Sequence, residues 1–429
     1  MYELYRQLPR RCAISYEPMA GTCQKYLQKK QTKKLVSLQW LPISCNLVTN
    51  TMTLTRRNFS LGTGAVLAAG FHTAHAQLEG KIILGQSAAF TGPAAQLGIQ
   101  FHQGAKVYFD QINAQGGIGR QQIEIRTLDD GYEPIRCAEN TNKLIADDVF
   151  ALFGYIGTPT SIAALPLATK AKVPFIAPFT GAMALRDPFN RYAFHVRASY
   201  NDETALIVKH LTNLGLKKVA VFYQNDAYGK AGLDGVNLAL GQLNLKPVAQ
   251  ATVERNSVDV ALAVKTLVAA GPDAVVQIGA YKGCAAFIRE ARKAGYGGTF
   301  YNVSFVGTQA LADDLGKDGA GVVVSQVMPS PYNAARPIAR EFAQAVKAVI
   351  TKDVQANFSS MEGYLAAKVF TEGLKRAGNK PSRESLITAL ESMGNQSFGG
   401  FDVSFGPNDR VASRFVELSM LTGDGRVRT

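Results

Sequence analysis

Hydroxyls gather where a β-rich run ending at Ile156 gives way to a helical pattern, in Gly157-Thr158-Pro159-Thr160-Ser161. The first turn of a helix leaves N–H groups without intrahelical partners and carries the positive end of the helix dipole. Hydroxyls of Thr158, Thr160 and Ser161 beside those groups suit a carboxylate or another acceptor. Two further strand-to-helix loops carry similar chemistry: Thr91-Gly92 after Ile82-Ile83-Leu84-Gly85, and Phe179-Thr180-Gly181 after Val173-Pro-Phe-Ile-Ala177. Tyr228 and Tyr281 follow the runs 218–223 and 274–278, each offering a broad apolar face and one hydroxyl at small entropic cost. Phe305 and Val306 add an apolar loop, while Arg197, Tyr200, Asp202 and Asp226 add polar groups nearby. The plain alternative for each hydroxyl is a helix cap, for each tyrosine a packing role, and for Arg197 a tie between two halves of the chain.

This chemistry holds a molecule and does not transform one. The five histidines, His72, His75, His102, His195 and His210, show no metal-ligand or triad spacing. The sequence has no Gly-x-x-x-x-Gly-Lys-Ser/Thr loop and no Gly-x-Ser-x-Gly elbow, and Gly85 to Gly92 lacks the dinucleotide spacing. No catalytic residue, metal or cofactor is therefore expected. Of five cysteines, Cys12, Cys23 and Cys45 precede the folded region. Cys137 and Cys284 fall in different halves and read as buried thiols.

The elements that must position these residues alternate from Lys81 onward. Short β-rich runs (82–85, 122–128, 150–156, 173–177) are separated by helical patterns, with 92–98 read as a loop and 100–115 as a helix. A second series starts near Asn201: strands 218–223, 247–253, 274–278, 299–303 and 321–326, with helices 229–243, 258–270 and 284–294. Helices 338–350, 360–377 and 383–393, then strands 399–405 and 415–420, complete the chain. Such alternation predicts an α/β architecture of two Rossmann-like lobes with largely parallel sheets. Lobe 1 is expected at 80–199 plus 329–405 and lobe 2 at 200–328 plus 406–429, with a cleft at the carboxyl ends of both sheets.

The opening section reads as targeting. Thr55-Arg56-Arg57-Asn58-Phe59-Ser60-Leu61, an apolar run to Phe71 and Ala74-His75-Ala76 resemble a twin-arginine export signal over 52–76. Residues 1–51 read as a non-native leader, with Met52 the initiator. Phe71 stands where a lipid-anchored signal would need Cys, so a soluble periplasmic protein is expected. Of the 46 Lys and Arg, 10 precede Gln77, against 2 of the 33 Asp and Glu. The 36 basic and 31 acidic residues that follow do not make a nucleic-acid or membrane-surface footprint. No later run is apolar over the roughly 20 residues a membrane span needs.

Several strings then carry a resemblance. They are Thr91-Gly-Pro-Ala-Ala-Gln-Leu-Gly98, Asn113 with Gly116-Gly117-Ile118, Leu128-Asp129-Asp130, Gly154 with Gly157-Thr158-Pro159-Thr160-Ser161, Ala177-Pro-Phe-Thr-Gly181, Asp226 with Tyr228-Gly229, Gly279-Ala-Tyr281 and Ala291-Arg-Lys-Ala-Gly295. In this order and spacing, Lys81 to Thr429 resembles the branched-chain amino-acid-binding family of ABC-transporter periplasmic proteins. The resemblance implies a periplasmic binding protein type I fold with a three-crossing hinge. It also implies a monomer that delivers a small-molecule ligand to permease subunits with an associated ATPase. A soluble sensor that presents ligand to a membrane receptor is the alternative.

By the same resemblance, Thr158 matches the serine that holds a ligand carboxylate, and Tyr228 and Tyr281 match the aromatics that close over it. Gly181 stands where relatives use threonine; Thr180 supplies a hydroxyl next door, but on an unshifted loop it points elsewhere. Near Val306, relatives carry a glutamate for the ligand ammonium, whereas this sequence has no acid between Glu290 and Asp313. Phe179 replaces a small residue and Leu97 an aromatic one. A carboxylate-bearing solute (amino acid, aromatic or aliphatic acid, or amide) is expected, with Asp202 or Asp226 the substitute partners for an ammonium.

Overall fold

The computed structural model describes residues 80–349 and 354–429. The expected leader and export signal lie outside them.

The first half alternates β1 (Gly80–Ala88), α1 (Ala95–Ala114), β2 (Gln121–Asp129), α2 (Pro134–Ala146), β3 (Ala151–Phe153), α3 (Thr158–Lys170), β4 (Phe175–Ile176) and β5 (Ala193–Phe194). These strands pair in parallel in the order β2-β1-β3-β4-β5. The chain then enters α4 (Tyr200–Asn213), β6 (Val219–Gln224), α5 (Ala227–Gly241), β7 (Ala249–Val253) and α6 (Ala261–Ala269). It continues through β8 (Ala274–Ile278), α7 (Tyr281–Lys293), β9 (Thr299–Asn302), α8 (Thr308–Leu315) and β10 (Val323–Gln326). Three helices follow, α9 (Pro337–Ala348), α10 (Phe358–Ala377) and α11 (Arg383–Glu391), with the small antiparallel pair β11 (Gln396–Ser397) and β12 (Asp402–Val403). Finally β13 (Glu417–Leu421) and β14 (Val427–Arg428) extend the second sheet on the antiparallel side of β10, giving β14-β13-β10-β9-β8-β6-β7.

The backbone passes between the sheets three times: after β5, after β10, and between β12 and β13. The first and third passages run side by side, with His195 N–H donating to the Arg410 carbonyl at 2.8 Å and Ala412 N–H to the His195 carbonyl at 2.8 Å. Helix α10 returns to the first sheet and lies along α1. Two glycines permit that approach: a Cβ on Gly363 would sit 1.9 Å from the Phe101 carbonyl oxygen, and one on Gly104 1.8 Å from that of Ser360.

Several boundaries differ from the sequence reading for identifiable reasons. Helix α1 begins at Ala95 and takes in part of the expected 92–98 loop. Gly98 is helical and is there for proximity, since its Cβ would lie 2.1 Å from the Ala89 carbonyl oxygen. The β-rich run 150–156 is strand only to Phe153, and its remainder turns into the loop that feeds α3. Helix α8 was not expected; it is eight residues long and starts from Gly307 without a side-chain cap to announce it. The Gly399–Phe405 strand shrinks to the two residues of β12.

Both sheets reverse their strand order at one point. In the first, β1 lies between β2 and β3, so the loops after β1 and β3 diverge; in the second, β6 lies between β7 and β8, so the loops after β6 and β8 do. Open α/β sheets bind ligands in the crevice at such points. These are the loops that carry Thr91-Gly92, Gly157-Thr158, Asp226 to Tyr228, and Tyr281.

Candidate functional site

Gly157 opens α3 at φ 99°, a left-handed value that favours glycine, and a Cβ there would lie 2.2 Å from the Tyr132 ring. The helix therefore begins with Thr158 directed at the loop after β4, and the Thr158 and Thr180 hydroxyl oxygens stand 2.7 Å apart. The Thr180 hydroxyl, expected to compensate for Gly181 only on a shifted loop, thus stands beside that of Thr158 and also accepts from Ala182 N–H at 3.2 Å. The reason lies at Gly181, where a Cβ would approach the Tyr200 Cδ1 and backbone nitrogen to 2.6 Å each. Tyr200 occupies the space a threonine at 181 would need, and the hydroxyl is supplied one residue earlier.

The remaining hydroxyls divide. Thr160 donates to the carbonyls of Ile156 and Gly157, the second at 3.0 Å, so its hydrogen is committed to the helix. Ser161 is fully buried and its hydroxyl has no hydrogen-bond partner among the described residues. Tyr200 is also buried, and burial raises its phenol pKa above the ordinary value against the charge of Arg197 and the neighbouring Thr180 hydroxyl.

An aromatic cluster joins the loops of the two sheets. The Phe305 ring lies 4.5 Å from Tyr228, 5.7 Å from Phe179 and 5.8 Å from Tyr132, centroid to centroid, and Tyr228 lies 5.4 Å from Tyr200. Phe179 and Tyr132 belong to the first sheet's loops, while Phe305 and Tyr228 come from the second sheet, so the cluster joins both. All four are buried, as is Val306. Tyr132 and Gln224 connect the same two sides, Gln224 Nε2 donating to the Tyr132 hydroxyl at 3.3 Å.

Thr91, Gly92 and Tyr281 stand apart from this interior at the rim. Thr91 is exposed and donates its hydroxyl to Asp129 at 2.5 Å. Gly92 and Tyr281 line a polar groove of about 650 Å³ together with Gln96, Gln100 and Lys282. Further along the rim, Arg255 pairs with Glu133 at 2.9 Å and Asn256 donates to the Gly131 carbonyl at 3.1 Å.

Neither acid named as a substitute ammonium partner is free. Asp202 closes the capping box of α4, accepting from the Ser199 backbone N–H at 2.9 Å and hydroxyl at 2.6 Å. Asp226 caps α5 through Tyr228 N–H at 2.9 Å and also accepts from Gln224 and Arg255. The acid nearest the 304–306 loop is instead Glu203, fully buried on α4. It accepts from Ser304 N–H at 2.7 Å, the Ser304 hydroxyl at 3.0 Å and the Ser325 hydroxyl at 2.5 Å. Burial raises its pKa, opposed by Arg197 and these donors. Sequence reasoning passed over Glu203, although an acid one helical turn before Ile207 and two before Leu211 shares their core-facing stripe.

Arg197 also exceeds its expected role. It forms a bidentate pair with Glu362 of α10, Nε–Oε1 2.8 Å and Nη2–Oε2 2.7 Å, and its guanidinium carbon lies 4.1 Å from the centre of the Phe179 ring. Burial works against its charge, but Glu362 raises its pKa above the ordinary arginine value. Glu362 was missed, yet one acid within the nearly fully buried face of α10 signals a partner. Cys137 and Cys284, the cysteines among the described residues, are free and buried, as expected. Among the described residues, no helix is long and apolar enough to cross a membrane.

Comparison with known proteins places this geometry. Residues 81–425 match the family model described as periplasmic binding protein. A leucine/isoleucine/valine-binding protein homologue of Brucella melitensis is 25% identical over 316 residues, covering 72% of this chain and 83% of the relative. A crystal structure of a "possible leucine/isoleucine/valine-binding protein" from Rhodopirellula baltica superposes with a TM-score of 0.77 at 34% identity, covering 81% of this chain and 95% of that one. A substrate-binding periplasmic protein from Ralstonia solanacearum gives 0.77 at 31% identity, with 81% and 99% covered. These relatives are solute-binding proteins and share the type I fold of two α/β lobes about a cleft. By sequence match and fold, the chain belongs to the periplasmic binding protein family, in its branched-chain amino-acid-binding branch.

Proposed function

We propose that this chain is the exported solute-binding component of an ABC importer, capturing a small carboxylate-bearing solute and presenting it to a membrane permease whose ATPase is a separate subunit. The carrying observation is the Thr158–Thr180 hydroxyl pair, 2.7 Å apart at the start of α3, next to Phe179, on which the Phe305 and Tyr228 cluster from the second sheet packs. In this reading the lobes are 80–199 with 329–405 and 200–328 with 406–429. Solute docks on the loops of the first, and the second swings Tyr228, Phe305 and, at the rim, Tyr281 over it. Such closure is a hinge motion whose population the ligand shifts. A twin-arginine-type signal over 52–76 would deliver the protein, as a monomer, to the periplasm.

The relatives' names point to leucine, isoleucine and valine, but the residues here favour a solute without an ammonium group. Glu203 already accepts three hydrogen bonds, and Asp202 and Asp226 cap helices. An ammonium buried without a free carboxylate pays a large desolvation cost. Native mass spectrometry of freshly purified protein, followed by a thermal-shift panel of amino acids, aromatic and aliphatic acids and amides, tests the reading. A carboxylate should raise the melting temperature. Stabilisation by leucine or valine at micromolar concentration would show the ammonium argument wrong, and no response to any carboxylate would overturn the seat at Thr158 and Thr180.

A further inference from the structure

Arg186 is anchored unlike the other arginines beside the cleft. It follows the 3₁₀ turn Met183–Leu185, is partly buried, and donates to four main-chain carbonyls. Nη1 reaches Ala182 at 2.9 Å; Nη2 reaches Thr180 at 3.1 Å, Arg197 at 3.2 Å and Ala198 at 3.4 Å. Two of these acceptors belong to the loop that carries Thr180, and two to the first passage of the backbone between the sheets. A second link runs parallel to it, Tyr200 N–H donating to the Gly181 carbonyl at 2.8 Å. A planar guanidinium offers several donors in a fixed fork and can hold two separate segments at once, whereas a lysine ammonium is a point charge on a flexible stem.

We propose that Arg186 is a positioning residue that fastens the Thr180 loop to the first crossing, so that loop and crossing move as one body. Given the seat at Thr158 and Thr180 argued above, a solute settling on that loop acts on the hinge directly, without first deforming the lobe between them. The role requires no contact between Arg186 and solute. It explains why a charged side chain is spent on carbonyls of the loop and the crossing.

Hydrogen exchange followed by mass spectrometry on the whole protein, without added solute, tests this in wild type, Arg186→Met and Arg186→Lys. In Arg186→Met, peptides covering 178–186 and 196–203 should exchange together about tenfold faster or more, as a local opening, while β6 keeps its wild-type protection. Arg186→Lys should fail to restore the protection of 196–203, because one ammonium does not span both segments; if the Met variant does not fold, this comparison decides alone. Acceleration confined to 178–186, or an equal rise in β6, would overturn the proposal. Since the measurement needs no solute, its failure refutes the coupling, whereas failure of the solute panel refutes only the seat.

Discussion

Removal of either partner from the Arg197–Glu362 pair should cost about 3–5 kcal/mol of stability, because the survivor is left charged in a dry site. The side chains are 1% and 5% exposed, so solvent cannot take over the lost partner's role. Both N–H···O bonds are short and parallel, and Phe179 covers one face of the guanidinium at 4.1 Å, adding roughly 1–2 kcal/mol of cation–π attraction. Glu362→Gln would leave Arg197 without its paired carboxylate, offset only by Glu203 and with Arg186 close enough for the two cations to repel. Arg197→Met would leave a buried carboxylate. The double variant Arg197→Met/Glu362→Leu removes both charges of the pair, leaving Glu203 to its Ser304 and Ser325 donors, and should lose less than either single one, with a coupling energy above about 2 kcal/mol. Urea unfolding of the full chain, followed by far- and near-ultraviolet circular dichroism with coincident transitions, measures all four species. Additive losses in the double variant, or single losses below about 1 kcal/mol as at a surface ion pair, would refute the reasoning.

Thr158→Ala should weaken solute binding by roughly 1–2 kcal/mol with little change in melting temperature, checked by calorimetry with the solute the panel identifies. Gly363→Ala should destabilise by about 1–3 kcal/mol, since its Cβ would meet the Phe101 carbonyl oxygen, and thermal unfolding reads the loss. Gly181→Thr should unseat Tyr200; a crystal structure of that variant with Tyr200 unmoved would contradict the account of the displaced hydroxyl. Burial raises the Asp130 carboxyl from 3.8 to about 6, against hydrogen bonds from Ser87 and Tyr132. The folded state therefore holds that proton more tightly than the unfolded one, a contribution fully present below pH 3.8 and lost as pH rises through 6. Asp130→Asn should be more stable than wild type by up to about 3 kcal/mol at pH 8 and gain nothing at pH 3.5; equal differences at both would refute the assignment.

Much of the scaffold could be read from the sequence because its signals are local. Runs such as Ala274-Val-Val-Gln-Ile278 announce buried parallel strands, and hydroxyls after strand ends announce the cleft. What escaped depended on neighbours distant in sequence. Gly98 looks like loop chemistry until the Ala89 carbonyl is beside it, and Thr180 looks misdirected until Tyr200 fills the space over Gly181. Glu203 and Glu362 sat on apolar helical stripes, a legible sign of buried charge, but their partners at Ser304, Ser325 and Arg197 lie about 100 or more positions away. Thr160, Asp202 and Asp226 had the right chemistry for ligands and spend it on their own helices.

The side-by-side passage of the first and third crossings has a mechanical consequence. Two strands joined by hydrogen bonds form a ribbon that is stiff against shear and in-plane bending but pliant across its face. The bonds between His195 and the Arg410–Ala412 segment tie two of the three connections together at one bridge. In the closure proposed above, lobes tied in this way would resist sliding past one another, so that each closure would bring Phe305 and Tyr228 back onto the same partners. On that proposal, registration of the lid would be a property of the connections, and a solute would supply only the preference for shut over open.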